Sequence, residues 1–337
     1  MAKSTIGKEI NQVLSQLKEN MFAGKRILVT GGAGFLGSWL CDILTGTDAE
    51  VFCLDNLATG LRENIDHLRG NKNFHFIEGN AENFSQPQRL DIILHLASRT
   101  SPEEYQKHPI ETLKANSLGT LTVLEAARLN DALTLYASTS EVYGDAQVIP
   151  TPETYWGHVN PVGVRSCYDE GKRFGEALCA AYRRQYSLDV RVVRIFNTYG
   201  PRIRADGAYA RAVPRFITQA LLQRDITVYG DGSQTRSFCY VTDTVAGMLK
   251  ALTSPHAKGE IFNIGNPHEI TILQLAEKIK QIAGSTSQVT FHPLPEDDPK
   301  RRCPDISKAK TVLGWEPVTS LEEGLAKTVD WFRSRIF

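Results

Sequence analysis

A phenol and an ammonium stand four residues apart at Tyr168 and Lys172. On a helix that spacing puts both on one face, one turn apart. An ammonium close to a phenol favours the phenolate, so Tyr168 could act as a base well below its usual pKa of ~10. Upstream, Ser138, Thr139, Ser140 and Glu141 close an apolar run. A hydroxyl there can hydrogen-bond a substrate oxygen beside the tyrosine. The sequence also offers a site for a dinucleotide. The run 25–30 leads directly into Gly31-Gly32-Ala33-Gly34-Phe35-Leu36-Gly37. Glycines at 31, 34 and 37 let the backbone turn sharply, admit a pyrophosphate and pack a helix against the strand. The N–H groups of that helix start would face the phosphates. Asp55 ends the next run, 24 residues after Gly31, where a carboxylate can accept hydrogen bonds from both ribose hydroxyls. Asn56 and Leu57 follow it, not arginine. A 2′-phosphate would meet the Asp55 charge, so NAD is expected rather than NADP.

These groups need a scaffold. Short apolar runs at 25–30, 50–55, 74–79, 91–96, 133–139 and 190–197 predict strands. Helical patterns fall at about 35–44, 110–129 and 168–186. Apolar runs without alternation fit a parallel sheet covered on both faces, and strand–helix repetition predicts a doubly wound α/β domain. The carboxyl ends of such strands form the ligand crevice. After about residue 198 the rhythm breaks at Pro201, Gly207, Pro214, Gly230 and Gly232. Helices are expected near 271–283 and 320–335, with a Pro-rich stretch at 293–304. The expected division is an amphipathic helix within 1–24, a dinucleotide domain of 25–197 plus about 236–264, and a smaller domain of about 198–235 plus 265–337.

The 337 residues carry 38 Lys plus Arg against 38 Asp plus Glu, a formal net charge of zero. No general pull toward nucleic acid or an anionic membrane follows, so neither is an expected partner. With 42% hydrophobic and 23% charged residues, the chain is not disordered, collagen-like or a coiled coil. No apolar stretch reaches the ~18 residues of a membrane span. In the first helix Ile6, Ile10, Val13, Leu14 and Leu17 form one stripe, expected to pack on its own domain or a neighbouring subunit. The six cysteines make no CxxC pair, and the eight histidines lack HxxxH or HExxH spacing, so no metal is expected. The expected compartment is reducing cytoplasm.

The chain resembles the extended short-chain dehydrogenase/reductase superfamily in its nucleotide-sugar branch. The likeness rests on TGGAGFLGS at 30–38, HLAS at 95–98, STSEVYGD at 138–145, YDEGKR at 168–173, RIFNTYGPR at 194–202, TVYGDGSQTRSFCYVTD at 227–243 and LGWEP at 313–317. Within that branch it looks most like the UDP-glucuronate decarboxylases, through TSE at 139–141, YWGHVNPVGVRSCYDEGKR at 155–173 and DDPKRRCPDISKAKTVLGWEP at 297–317. The resemblance implies a Rossmann-type sheet with a smaller mixed α/β substrate-binding domain. It implies NAD as a recycled oxidant, a UDP-sugar as substrate, and a homodimer through a four-helix interface of 110–129 and 168–186. UDP-sugar 4-epimerases, acting on UDP-glucuronate or UDP-glucose, are the alternative class. A non-catalytic NAD-binding member is a further one.

The resemblance also implies roles. Gly31, Gly34, Phe35, Leu36, Gly37, Asp55, Asn56, Asn80, Leu96 and Ala97 would contact NAD, with Tyr168 and Lys172 at the nicotinamide end. Tyr168 would be the base, Thr139 would hold the C4 oxygen, and Glu141 with Arg236 would handle the proton at C5. Asn197, Arg236 and Arg302 would contact the phosphates, with Arg211 and Arg215 weaker candidates, Ser140 would also bind substrate, and Thr227 to Tyr229 would form the uracil edge. Related 4,6-dehydratases carry Asp where this chain has Ser140, a far poorer proton donor. Three departures stand out. Residues 98–105, SRTSPEEY, replace a proline-rich loop, and Arg99 could attract the sugar carboxylate where Glu103 or Glu104 could repel it. Asn80 replaces an Asp at the adenine edge. Residues 203–210 run slightly longer than usual.

Overall fold

The unalternating apolar runs become strands of one parallel sheet. A computed structural model describes residues 2–85, 89–206, 211–295 and 299–336, with side chains from Ile6 onward. Residues 207–210, which include Gly207 and end the longer 203–210 segment, lie outside the described residues, as do Asp297 and Asp298 of the 297–317 motif.

The first part contains α1 Ala2–Leu14, β1 Arg26–Thr30, α2 Phe35–Thr45, β2 Glu50–Asp55, β3 Phe74–Glu78, β4 Ile92–His95, α3 Pro102–Lys107, α4 Pro109–Lys114, α5 Thr120–Asn130, β5 Leu133–Thr139, α6 Ser166–Tyr186 and β6 Val190–Ile195. The rest adds β7 Thr198–Tyr199, α7 Ala212–Leu221, β8 Ile226–Tyr229, β9 Thr235–Ser237, β10 Cys239–Tyr240, α8 Val241–Thr253, β11 Ile261–Ile264, β12 Glu269–Thr271, α9 Ile272–Ala283, β13 Val289–His292, β14 Arg301–Arg302 and α10 Leu321–Ile336. The large sheet runs β3-β2-β1-β4-β5-β6-β11. Chain order reverses between β1 and β4, which opens the crevice at the strands' carboxyl ends.

Successive side chains feed opposite layers, and both layers are buried. Ile27 and Val29 pack with Trp39, Leu40 and Ile43 on one face. Leu28 and Ile93 pack with Val123, Leu124 and Tyr182 on the other. Each such aliphatic side chain contributes about 1.5–3 kcal/mol by leaving water. The helix expected over 110–129 is three segments: α4 and α5 joined by a π-helical turn, Ala115–Gly119.

The chain crosses between sheets near Phe238. β9 lies in a small sheet of order β12-β9-β14, whereas β10 pairs with β7 and β11 joins the large sheet. Arg236 therefore belongs to the small sheet. The N-terminal helix ends at Leu14, short of residue 24, and turns follow, with Asn20 and Gly24 at φ 58° and 69°. Val13 is buried, and Ile6, Ile10, Leu14 and Leu17 pack against the main core. The buried Glu9 carboxylate accepts from Tyr240 Oη at 2.9 Å and pairs with Lys327.

Candidate active site

The glycine turn is shaped by close backbone approach. Gly31 sits at φ 70°, and a Cβ there would lie 2.9 Å from the Ala97 nitrogen. A Cβ on Gly34 would lie 3.0 Å from the Gly31 carbonyl oxygen, and one on Gly37 would run into the same atom. β1 thus passes into α2 with no room for side chains, and the helix N-terminus faces an open cradle. Asp55 closes the next strand. Its Oδ2 accepts from Ala33 N at 3.0 Å and its Oδ1 from Leu57 N at 2.8 Å. Burial pushes its carboxyl up, and these two N–H groups oppose the shift. Asn56 Nδ2 donates to Asn80 Oδ1 at 2.6 Å, which leaves that oxygen one lone pair for an adenine amino group.

Beneath the turn lies a strut that the sequence did not flag as functional. His95 Nδ1 meets Thr30 Oγ1 at 2.7 Å and its Nε2 meets Thr120 Oγ1 at 3.1 Å. Thr30 Oγ1 also accepts from the nitrogens of Leu96 and Ala97 at 3.2 and 3.1 Å. Burial, then the Lys172 charge, pulls His95 down to about 3, so it serves as a neutral spacer between strand ends.

Across the crevice, α6 presents Tyr168 and Lys172 one turn apart, both buried. Lys172 Nζ donates to the Ala137 carbonyl at 2.8 Å, and burial pulls its ammonium down to about 7. Against the expectation that Lys172 would bring Tyr168 well below its usual pKa, burial pushes the phenol up to about 12. The Arg211 charge and a Thr139 hydrogen bond act in the opposite direction and favour the phenolate. The Tyr105 ring, from α3, stacks on Tyr168 with centroids 5.1 Å apart and planes 2° from parallel. That contact fixes the plane of the phenol.

Glu141 follows the end of β5 in a short 3-10 turn. Its carboxylate takes two guanidiniums. Arg302 reaches it with Nη1 and Nη2, the latter at 2.8 Å, and Arg165 Nη2 donates at 2.7 Å. Burial pushes Glu141 up, but Arg302 and then Arg165 outweigh it and hold the carboxyl well below the usual range. Asp169, beside Tyr168, is buried, and its Oδ1 has no hydrogen-bond partner among the described residues. Burial, then the Glu141 charge, pushes Asp169 up to about 7 against Arg165 and Arg302.

One cleft of about 700 Å³ joins these parts, within the usual ligand-pocket range. It is lined by Gly31, Gly34, Phe35, Leu36, Gly37, Asp55, Asn56, Asn80, Leu96, Ala97, Thr139, Ser140, Glu141, Tyr168, Lys172, Asn197 and Arg211. The glycine cradle, the carboxylate at the end of β2 and the Tyr168–Lys172 pair fit a dinucleotide laid along the strand ends. A larger open groove of about 1120 Å³, between α9 and residues 317–322, holds none of these residues.

Arg215, Thr227 to Tyr229, Arg236 and Arg302, all expected at the substrate, do not line the cleft. Thr227 and Tyr229 sit with α7: Gln219 hydrogen-bonds Thr227, and the Arg215 guanidinium lies 4.6 Å over the Tyr229 ring. Arg236 Nη1 donates to the carbonyls of Thr235 and Lys300 at 2.8 and 3.4 Å. The sequence paired Glu141 with Arg236, and the structure pairs it with Arg165 and Arg302. β14 lays Arg302 beside Arg236 in register, and Arg302 makes the reach. Arg165 was missed, although its place three residues before Tyr168 puts it one helical turn away. No local pattern marks Tyr105.

A doubly wound parallel sheet with a glycine turn at β1 and a tyrosine–lysine pair on a facing helix defines an NAD-dependent enzyme fold of the short-chain dehydrogenase type. The chain belongs to the NAD dependent epimerase/dehydratase family, whose pattern it matches over residues 27–265. It is 50% identical over 314 residues to UDP-glucuronic acid decarboxylase 1 of Xenopus tropicalis, covering 93% of this chain and 73% of that protein. A Thermotoga maritima UDP-glucose 4-epimerase, solved with UDP-glucose, is 34% identical with a TM-score of 0.85, over 93% of this chain and 100% of that one. A Bacillus cereus UDP-glucuronic acid 4-epimerase, in complex with UDP-glucuronic acid and NAD, is 31% identical with a TM-score of 0.84, over the same shares.

Proposed function

We propose that the protein is a UDP-glucuronate decarboxylase that forms UDP-xylose and carbon dioxide. The observation that carries this reading is Glu141, ionised by two buried arginines, two residues past Thr139 and facing the same cleft as Tyr168. A charged group there addresses C5, next to the C4 alcohol served by Tyr168 and Thr139. Ser140 in place of an acid leaves no donor to expel a C6 hydroxide, which argues against dehydration. A relative that is half identical over most of the chain bears the same activity in its name.

NAD, which the glycine turn, Asp55 and Lys172 would hold, would supply the hydride acceptor for C4 and the donor for its return. Tyr168 accepts the C4 hydroxyl proton, and Thr139 hydrogen-bonds that oxygen. Tyr105 holds the phenol plane through the stack. Lys172, one turn along α6 from Tyr168, is anchored to the Ala137 carbonyl on β5 and would reach the nicotinamide ribose. Once C4 is a ketone, the carboxyl group lies β to a carbonyl. The bond from C5 to the carboxyl carbon then breaks, carbon dioxide leaves, and the electron pair rests on the C4 oxygen as an enolate. Donors around that oxygen stabilise the charge. C5 takes up one proton, so each turnover consumes one. Tyr168 returns its proton as the alcohol re-forms. Arg302 and Arg165 hold Glu141 in place beside C5, and Asn197 and Arg211 hold the diphosphate.

The same reading assigns residues 25–197 with about 239–264 to the NAD domain and the remainder after 198 to the sugar domain. It makes the enzyme a cytoplasmic homodimer. All six thiols are free and buried, as a reducing compartment allows. No helix among the described residues is long and apolar enough to cross a membrane. Ile110, Leu113 and Leu121, on α4 and α5, and Phe174, on α6, are exposed on the two helices that would pair.

The deciding experiment incubates the NAD-loaded protein with UDP-glucuronate. Released carbon dioxide and a UDP-pentose are expected. A retained carboxylate with inverted C4 would reject the decarboxylase and favour the epimerase that the structural relatives suggest.

A further inference from the structure

The segment after β4 supplies a cation that the steps above do not use. Arg99 lines the cleft together with Thr139, Ser140, Glu141 and Tyr168. Its Nη1 donates to Glu104 Oε2 at 3.0 Å, and both side chains are largely buried. Among the described residues the rest of its guanidinium has no protein partner, and those unpaired nitrogens are not sealed from solvent. A guanidinium carries five N–H donors in a fork that matches a carboxylate. The pair also sits close to the reacting atoms, because Tyr105, next to Glu104 in the chain, stacks on Tyr168.

The other arginines near the cleft have protein partners, and Arg211 has its own place at the diphosphate. Arg165 and Arg302 are buried, spend their forks on Glu141 and do not line the cleft. Arg204 pairs with Asp206 and donates to the Thr59 carbonyl, at the far end of the cleft. Arg211 Nη2 donates to the Thr100 carbonyl at 2.5 Å. Resting on the decarboxylase reading, we infer that Arg99 is a specificity-determining residue that binds the sugar carboxylate of UDP-glucuronate, with Glu104 as its internal stand-in. Glu104 keeps the guanidinium paired and oriented when no sugar is present. An incoming carboxylate takes the open edge of the fork and competes with Glu104. Carbon dioxide loss removes that ligand, so UDP-xylose leaves Arg99 to Glu104 again. The opposing charges of the 98–105 loop are thereby reconciled: Glu103 pairs outward with Lys107, and Glu104 is neutralised rather than repulsive.

The test compares two ligands that share uridine and diphosphate and differ in the carboxylate. UDP-glucuronate and UDP-xylose are titrated calorimetrically into NAD-loaded Tyr168→Phe protein, which holds the substrate unreacted. Adding Arg99→Gln should weaken UDP-glucuronate about ten- to a hundredfold, as loss of a charge-assisted pair does, and change UDP-xylose by about twofold at most. Adding Glu104→Gln should tighten UDP-glucuronate and leave UDP-xylose unchanged. Retained UDP-xylose binding reports an intact fold, and the double variant Arg99→Gln/Glu104→Gln repeats the first comparison with no stranded charge. Equal weakening of both ligands, no change in either, or a Glu104→Gln loss equal to that of Arg99→Gln would overturn the inference. Failure of the decarboxylase reading shows separately, as absence of carbon dioxide from the unmodified enzyme.

Discussion

The two ends of the cleft are built on different principles. At the nucleotide end, recognition is mostly backbone: three glycines, a helix start, and one carboxylate braced by the N–H groups of Ala33 and Leu57. At the sugar end it is mostly buried charge: Glu141 between Arg165 and Arg302, Asp169 nearby, and Lys172 anchored on a backbone carbonyl. The first end is steric, so it fails when atoms are added. The second is electrostatic, so it fails when a charge is removed or pH changes.

The sharpest separation of the two comes from Tyr168→Phe. Turnover of UDP-glucuronate should fall by about 10²–10⁴-fold, the range of a lost general acid–base group. NAD retention should stay intact, since the cradle is untouched. Near-normal turnover would remove Tyr168 from the chemistry.

Next in size is Glu141→Gln, which strands Arg165 and Arg302 in the interior. Breaking a buried pair typically costs about 3–5 kcal/mol, so urea unfolding should show a loss of that order. A loss below about 1 kcal/mol, the level of an exposed pair, would mean the cluster is not a closed unit.

On the steric side, Gly60→Ala puts a Cβ 2.7 Å from the Asp55 carboxylate oxygens. It should destabilise by about 1–3 kcal/mol and weaken NAD binding, while UDP-sugar affinity in the NAD-loaded form stays unchanged. Fluorescence titration of the cofactor checks this, and an unaltered NAD affinity would show that Asp55 is free to move.

The smallest effect separates two carboxylates by pH. Glu141 is depressed, so its contribution is present above the unfolded value near 4.5 and is lost only in strong acid. Asp169 is raised to about 7, so its contribution is complete below the unfolded value near 3.8 and is lost as pH climbs through 7. Asp169→Asn should therefore gain on the wild type between pH 5 and pH 8, on the order of 5 °C in Tm. A gap that stays constant with pH would place the Asp169 proton elsewhere.

Much of the nucleotide end is legible in the residues alone. The glycine turn, Asp55, Thr139 and the Tyr168–Lys172 pair are local patterns, and the structure lines one cleft with all of them. The partners of Glu141 are not legible in that way. Arg302 lies 161 residues away, and neighbouring arginines at 301 and 302 look alike in sequence. Adjacent strand residues point to opposite faces, so only the pairing of β14 with β9 decides which arginine turns inward. The same holds for Arg99 and Glu104: either could have faced the substrate until α3 fixed the geometry of the loop.

By itself the sequence determined the fold class and the cofactor, because strand–turn–helix spacing acts over short range. Tertiary structure alone decided which charges are sealed and which stay open. Burial and pairing depend on chain segments that meet only after folding, and those two quantities set whether an arginine holds the protein together or waits for a ligand.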